Sequence, residues 1–194
     1  MLSARGRPRP RQVPRMGNTR LVSVEDAPSL VERLRENRDF LAPWEPTRDD
    51  DFFTVATQRD LLETALRAYS DGTMLPLAIL DDAGTLVGRL TVSGITRGAF
   101  QSGSVGYWVS RTHNGRGIAT RAVAETKEIA FTELGLHRLQ AETLIHNTAS
   151  QRVLKRNGFV PYGIAPQYLK IAGEWQEHVL YQVLNQAPEK AGGR

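Results

Sequence analysis

The chain has 194 residues, 40% of them hydrophobic and 24% charged, a composition that fits one soluble globular domain with its own core. It contains no cysteine, which excludes disulfides, thiolate catalysis and Cys-based metal sites, and its 4 histidines include no close pair, so no metal site is expected. The formal charge of +4 is unevenly placed: Arg5, Arg7, Arg9, Arg11, Arg15 and Arg20 lie in the first 20 residues without an acid, leaving 19 basic against 21 acidic residues elsewhere, a net of −2.

Residues 1–18, where Arg alternates with Pro, cannot make a packed helix or a central strand and are predicted to be a disordered tail. Three readings stand for it: a solvated extension, a segment ahead of a later start at Met16, or an arm making weak contact with RNA phosphates. No apolar run approaches the length of a membrane span and no signal-peptide core is visible, so a soluble cytoplasmic protein without membrane contact is the expectation.

The domain, predicted over 19–185, opens with "TRLVSV" as a strand, followed by "DAPSLVERLRENRDFL" as a helix with Leu30, Val31 and Leu34 on one face. "LAPWEPTRDDD" carries two prolines and reads as a loop, and a second helix is expected from about Phe52 to Tyr69. Two strand-like runs, "MLPLAILDD" and "TLVGRLTVSGIT", flank Asp-Ala-Gly as a hairpin, and "SVGYWVS" is the next strand. From Ile118 onward, Ile118, Ala122, Thr126, Ile129 and Ala130 share a helical face up to Leu134-Gly135. "HRLQAETLI" reads as a strand, "NTASQRVLKRNGF" as a short helix capped by Asn147 or Thr148, and the rest as a closing hairpin turning at Ala172-Gly173. Residues 186–194 are predicted to be a flexible tail.

Between the "GYWVS" strand and the Ile118 helix stands "THNGRGIATRAV". A strand that breaks into Asn114-Gly115-Arg116-Gly117 before a helix gathers unpaired N–H groups and the positive helix end at one point, where a phosphate is attracted. Glycine lets an anion approach the main chain closely and permits positive φ. A dinucleotide fold would need a third glycine and a later acid, and a nucleotide-hydrolysing loop would need Lys-Ser or Lys-Thr where Ile118-Ala119 stand. By itself the turn is either a phosphate site or a tight start to a helix that binds nothing.

With its preceding strand, the turn resembles the pyrophosphate motif Gln/Arg-x-x-Gly-x-Gly/Ala of the GNAT acetyltransferases, with Asn114, Gly117 and Ala119 at the fixed places and Asn replacing the usual first residue. "NTASQRVLKRNGF" is similar to that superfamily's Asn-x-x-Ser…Leu…Asn-Gly-Phe segment. "ENRDFLAPWEPTRD", "TRGAF", "LHRLQAE" and "YLKIAGEWQEHVLY" resemble the ribosomal-protein-alanine N-acetyltransferases of the RimJ/RimL type, over about Thr19 to Leu184. The implied fold is α/β (α+β), a mixed, mostly antiparallel sheet of about seven strands with helices on both faces.

The resemblance implies acetyl-CoA as cofactor, its pantetheine arm in a V-shaped opening between "VGYWVS" and "LQAETLI", paired with the backbone of Trp108, Val109 and Ser110. Asn114, Gly115, Arg116, Gly117, Ile118, Ala119 and Thr120 would hold the pyrophosphate. Asn147 would contact the pantetheine and Ser150 would stand near the thiol as acid; the plain alternatives are a helix cap and a first-turn residue. Many relatives carry a tyrosine four residues after that serine, where this chain has Leu154. Ser150, a water or Tyr168 is then left as the acid.

The base has little to do if the acceptor is an α-amine: with a pKa of ~7.7–8.0, keeping it neutral at pH 7 takes about 1–1.4 kcal/mol, against about 4.6 for a lysine near 10.4. Glu142, five residues before Asn147, is the candidate implied by a related N-terminal acetyltransferase, and Glu45 in "APWEP" is the second, expected to bind the amine; each could instead be a solvent-facing residue. A late glutamate of some relatives is replaced here by Leu169. Trp44, Glu45, Phe100, Tyr168, Trp175 and His178 fall where the subfamily varies its acceptor contacts, although aromatics at such spacing also serve as core.

The expected activity is direct acetyl transfer to a protein N terminus, a ribosomal protein being one such acceptor, by a monomer or homodimer with the amide of Val109 or Ser110 stabilising the oxyanion. The alternatives are a small-amine acetyltransferase acting on an aminoglycoside, polyamine or amino acid, and a non-catalytic acyl-CoA-binding module.

Overall fold

The computed structural model describes residues 17–186. The expectations for residues 1–16 and 187–194 lie outside the described residues. Strands β1 (Thr19–Leu21), β2 (Leu75–Leu80), β3 (Leu86–Thr96), β4 (Ser102–Val109), β5 (Arg138–Leu144), β6 (Val160–Ile171) and β7 (Glu174–Leu184) form one seven-stranded sheet in the order β1-β2-β3-β4-β5-β7-β6. Only β4 and β5 run parallel among these pairs. Helices α1 (Ala27–Glu36), α2 (Arg38–Leu41) and α3 (Val55–Ser70) precede β2, α4 (Ile118–Thr132) makes the crossover from β4 to β5, and α5 (Thr148–Arg156) follows β5. No helix among the described residues is long and apolar enough to cross a membrane.

Alternation along the strands sends apolar side chains to two cores. Leu90, Val92, Val105, Val109, Leu139, Ala141 and Tyr181 pack with Ile118, Ala122, Ile129 and Leu154 of α4 and α5. Leu30, Leu34 and Leu62 of α1 and α3 meet Ala78, Leu80 and Leu86 on the opposite face. That second face is covered only at the β2 end. Its polar row, Arg89, Thr91 and Ser93 of β3 opposite Trp108, Gly106 and Ser104 of β4, is where the sheet lies open to a cleft.

The predicted helix over 26–41 is broken at Asn37, and the reason is the buried Asn37 side chain. Its Nδ2 donates to the Arg33 carbonyl at 2.7 Å and to Ser110 Oγ at 3.3 Å, while its Oδ1 accepts the Arg111 N–H at 2.8 Å. An asparagine that spends both ends of its amide in this way ties the helix break to the end of β4. A second boundary also moves. Gly17 and Asn18 are not tail: Asn18 is buried, its N–H donates to Glu125 Oε1 (2.9 Å), its Nδ2 donates to the Leu80 carbonyl (3.0 Å) and its Oδ1 accepts from Arg121 Nε (2.7 Å). The hairpin turns at 81–84 and 172–173, the α4 stop at Gly135 with φ 61° and the α5 stop at Gly158 with φ 81° fall where the sequence places them.

Gly88 holds β3 tight against β4: a Cβ there would lie 2.2 Å from the Trp108 carbonyl oxygen and 3.0 Å from Val109 Cα. Backbone cannot step aside as a flexible side chain can. Gly88→Ala is expected to cost about 3 kcal/mol, the upper part of the range for overpacking, read as a lower urea midpoint with an unchanged slope.

Candidate active site

Strands β4 and β5 pair only at Ser102↔Arg138, Gly103↔Leu139 and Ser104↔Gln140. Beyond that rung β4 stays with β3 as far as Gly88↔Val109, whereas β5 stays with β7 as far as Leu144↔His178. The two strands therefore part, and the opening joins a cleft of about 880 Å³. Trp44, Glu45, Trp108, Glu142, Asn147, Ser150 and His178 line it together.

The parting strands are clasped on both faces. On the open face Ser104 Oγ donates to Glu142 Oε2 at 2.7 Å, directly past the last paired rung. On the α5 face Tyr107 Oη lies 2.9 Å from Ser150 Oγ and donates to the Ser150 carbonyl at 3.3 Å. Burial pushes the Tyr107 hydroxyl up to about 12, with the hydrogen bond to Ser150 pulling the other way. Ser150 is placed by Asn147, whose Oδ1 accepts the Ser150 N–H at 3.1 Å as the cap of α5. The Asn147 Nδ2 keeps no partner among the described residues.

The backbone of β4 decides which amide faces the opening. Ser110 N–H donates to the Val87 carbonyl at 2.8 Å, so by the antiparallel alternation Trp108 also pairs with β3, whereas Tyr107 and Val109 turn their polar groups into the split. Trp108 and Ser110 thus drop out as backbone partners for the opening, and of the three expected there only Val109 faces it. At its far end, Gly115 (φ 78°) and Gly117 (φ 76°) are both left-handed, and Gly117 starts α4 with no side chain on the first-turn N–H groups. A Cβ at Gly115 would meet nothing within 4 Å, so conformation rather than crowding demands the glycine. Arg121 braces the turn, its NH1 donating to the Arg116 carbonyl at 3.3 Å.

A loop and a hairpin close the open face. The Ala172 N–H donates to the Glu45 carbonyl at 3.0 Å, and the Trp44 ring lies 5.5 Å from His146. Burial raises the Glu45 carboxyl above its ordinary value, against the opposing pull of Arg48 and Arg89. Burial likewise lowers Arg89, with Glu45 opposing. The buried His178 donates from Nδ1 to the Gln176 carbonyl, 2.9 Å away, and its ring lies tilted 5.5 Å from that of Tyr168.

Three residues expected at the acceptor end do not line the cleft. Phe100 sits in the β3–β4 connection, half exposed, with the Arg138 guanidinium 5.9 Å from its ring at the closed end of the split. Trp175, 62% exposed, lies beside the β6–β7 turn opposite Lys170. Tyr168 stands behind His178, where burial and then the charge of Glu142 raise its hydroxyl. Tyr107 and Arg89 are functional candidates that the sequence reading missed. Tyr107 lies 43 residues from its partner, beyond any local pattern, whereas the alternation Arg89, Thr91, Ser93 was available as a polar row.

The match to known proteins agrees with this geometry. Residues 19–160 match the model of the Acetyltransferase (GNAT) domain. The chain belongs to the GNAT acetyltransferase family. It is 36% identical over 174 residues to Probable N-acetyltransferase YjcK of Bacillus subtilis (strain 168), covering 88% of this chain and 95% of that one. It is 32% identical over 162 residues to the [Ribosomal protein uS5]-alanine N-acetyltransferase of Escherichia coli (strain K12), covering 83% and 84%. Mycobacterium smegmatis RimJ, solved in complex with CoA-disulfide, superposes with a TM-score of 0.83 at 33% identity, over 86% of this chain and 80% of that one. The seven-stranded, mostly antiparallel sheet is the family fold, and the parting of β4 from β5 is its cleft.

Because the folded Glu45 value lies above the ordinary 4.5, stability from the neutral acid is present below that pH and is lost as pH rises through the folded value. Once pH has risen through that window, the buried Glu45 carboxyl opposes folding. Glu45→Gln is expected to raise the thermal midpoint at pH 7, and the gain should vanish below pH 4.5; the same gain at both pH values would refute the assignment.

Proposed function

We propose that this chain transfers the acetyl group of acetyl-CoA to the free N-terminal amine of a protein, without an acyl-enzyme. The observation that carries the proposal is the split itself, with a carboxylate, Glu142, on one face and a hydroxyl pair, Tyr107 and Ser150, on the other. The split suits a pantetheine chain: Gly106 leaves room where a Cβ would meet nothing within 4 Å, and the buried Thr143 Oγ1, which lines the cleft, has no partner among the described residues. The neighbouring RimJ structure in complex with CoA-disulfide supports the same reading.

Acetyl-CoA supplies an electrophilic carbonyl and a thiolate leaving group. The N–H groups from Gly115 to Thr120, with Arg116 beside them, receive the pyrophosphate. The Val109 N–H receives the acyl oxygen, where a fixed donor is worth more than water. Glu142, held by Ser104 and facing the cleft, takes the amine proton through water. Ser150 Oγ holds a proton on the α5 side, and Tyr107, protonated at neutral pH, replenishes it.

The acceptor follows from the strength of this base. A carboxylate acting through water keeps an α-amine neutral at modest cost, whereas a lysine demands several-fold more. The Escherichia coli relative named for uS5-alanine acetylation supports an N-terminal acceptor, with a ribosomal protein as the candidate.

Intact-mass assay of peptides beginning Ala, Ser or Met, with N-blocked peptides and small amines as controls, is expected to show acetylation of free Ala or Ser termini only. Labelled small amines with untouched peptides would overturn the proposal. Glu142→Gln is expected to lower kcat roughly 10²-fold or more, and Tyr107→Phe to lower kcat with little change in KM for acetyl-CoA.

A further inference from the structure

Arg89 has no structural employment that its neighbours reveal. It faces the cleft from β3, opposite Trp108 on β4 and Ala78 on β2, neither of which carries charge. Burial removes it from water far enough to lower its pKa, yet no carboxylate lies within 4.0 Å of it among the described residues and none of its N–H groups donates a hydrogen bond to them. Arg20 in the same molecule shows what a structural arginine does: NH1 and NH2 grip Asp26 at 2.7 and 2.6 Å. Glu45 and Arg89 feel each other's charge without touching.

A half-buried guanidinium without a partner is costly, and the cost is recovered when a carboxylate enters and pairs with its planar fork. Its position sets which part of an acceptor could do so. Glu142 and Arg89 stand on one face, two strands apart and one pleat repeat along, so regular spacing of ~4.8 Å per strand and ~3.3 Å per residue sets a floor of about 12 Å between their Cα atoms, which the parting of β4 from β5 widens. An extended peptide whose amine lies at Glu142 advances about 3.3–3.6 Å per residue, so with the reach of the arginine its second or third side chain arrives at the guanidinium.

We propose that Arg89 is the receptor for an acidic side chain of the acceptor, and that this enzyme prefers polypeptide N termini carrying Asp or Glu at the second or third position. This rests on the N-terminal acceptor reading above. Glu45, across the gap, sharpens the selection by repelling a carboxylate that misses the arginine.

The test compares kcat/KM for matched peptides with Ala first and Glu, Gln or Lys at position 2 or 3, using wild type, Arg89→Gln, Arg89→Lys and Arg89→Glu. Wild type is expected to favour Glu over Gln roughly 10- to 100-fold at one of the two positions, chiefly through KM. Arg89→Gln should erase that ratio, Arg89→Lys should keep part of it, and Arg89→Glu should turn the preference toward Lys. Equal use of Glu and Gln peptides by wild type, or a ratio that survives in Arg89→Gln, would overturn the proposal and leave the N-terminal reading intact. Silence of wild type on every peptide would remove the N-terminal reading and this proposal with it. The wild-type comparison needs no variant to fold, and unchanged melting curves qualify the others.

Discussion

One departure from regular pairing governs this molecule: after three rungs, β4 and β5 cease to be neighbours. Parallel strands that stay paired would bury their polar backbone in each other, and nothing could lie between them. Here each strand has a stronger attachment on its other side, β4 to β3 through Gly88↔Val109 and β5 to β7 along its whole length. The sheet therefore behaves as two twisted halves joined at a short seam, and twist drives the halves apart as they extend from it. The exposed backbone of Tyr107 and Val109 is the product, an edge inside the sheet that a ligand can complete.

What surrounds the split follows from this. Helix α4 begins where β4 ends, so its unpartnered amides stand at the mouth of the opening. Helix α5 begins where β5 ends, so its cap and Ser150 stand on the opposite lip. The covering loop, fastened to the β6–β7 hairpin between Glu45 and Ala172, closes the face that α1 and α3 leave bare. Charge is placed accordingly: the acidic side chains Glu142 and Glu45 lie on the open face, and the amides and arginines of the glycine turn lie at the end of the strands.

The sequence makes legible whatever depends on near neighbours. Glycines that need left-handed φ mark the turn before α4 and the ends of α4 and α5, and the hairpins declare themselves by alternation around short polar turns. Glu142, Asn147 and Ser150 lie within a few residues of a strand end, which the motifs mark, and all three line one cleft. Contacts between distant segments are not written locally. The helix breaks at Asn37 because Ser110 and Arg111, more than 70 residues on, compete for its amide. Phe100 and Trp175 belong to stretches that carry the family likeness, but strand direction sends one to the closed end of the seam and the other beyond the hairpin turn.

Leu154 shows how the site and the core negotiate. Residues 150 and 154 are one turn apart on α5 and share a side of it. In this chain that side divides, with Ser150 at the split and Leu154 fully buried in the core beneath α4 and α5. A phenol at 154 would have to leave the core to reach the opening, while the leucine fills it. Tyr107, across the split, packs its ring against the same core and brings its oxygen to Ser150. The geometry of the hydroxyl pair then depends on how far β4 stands from α5, and so on what occupies the opening between them. A hydroxyl pair carried by one helix would have its distance fixed by that helix; here it is fixed by the two halves of the sheet.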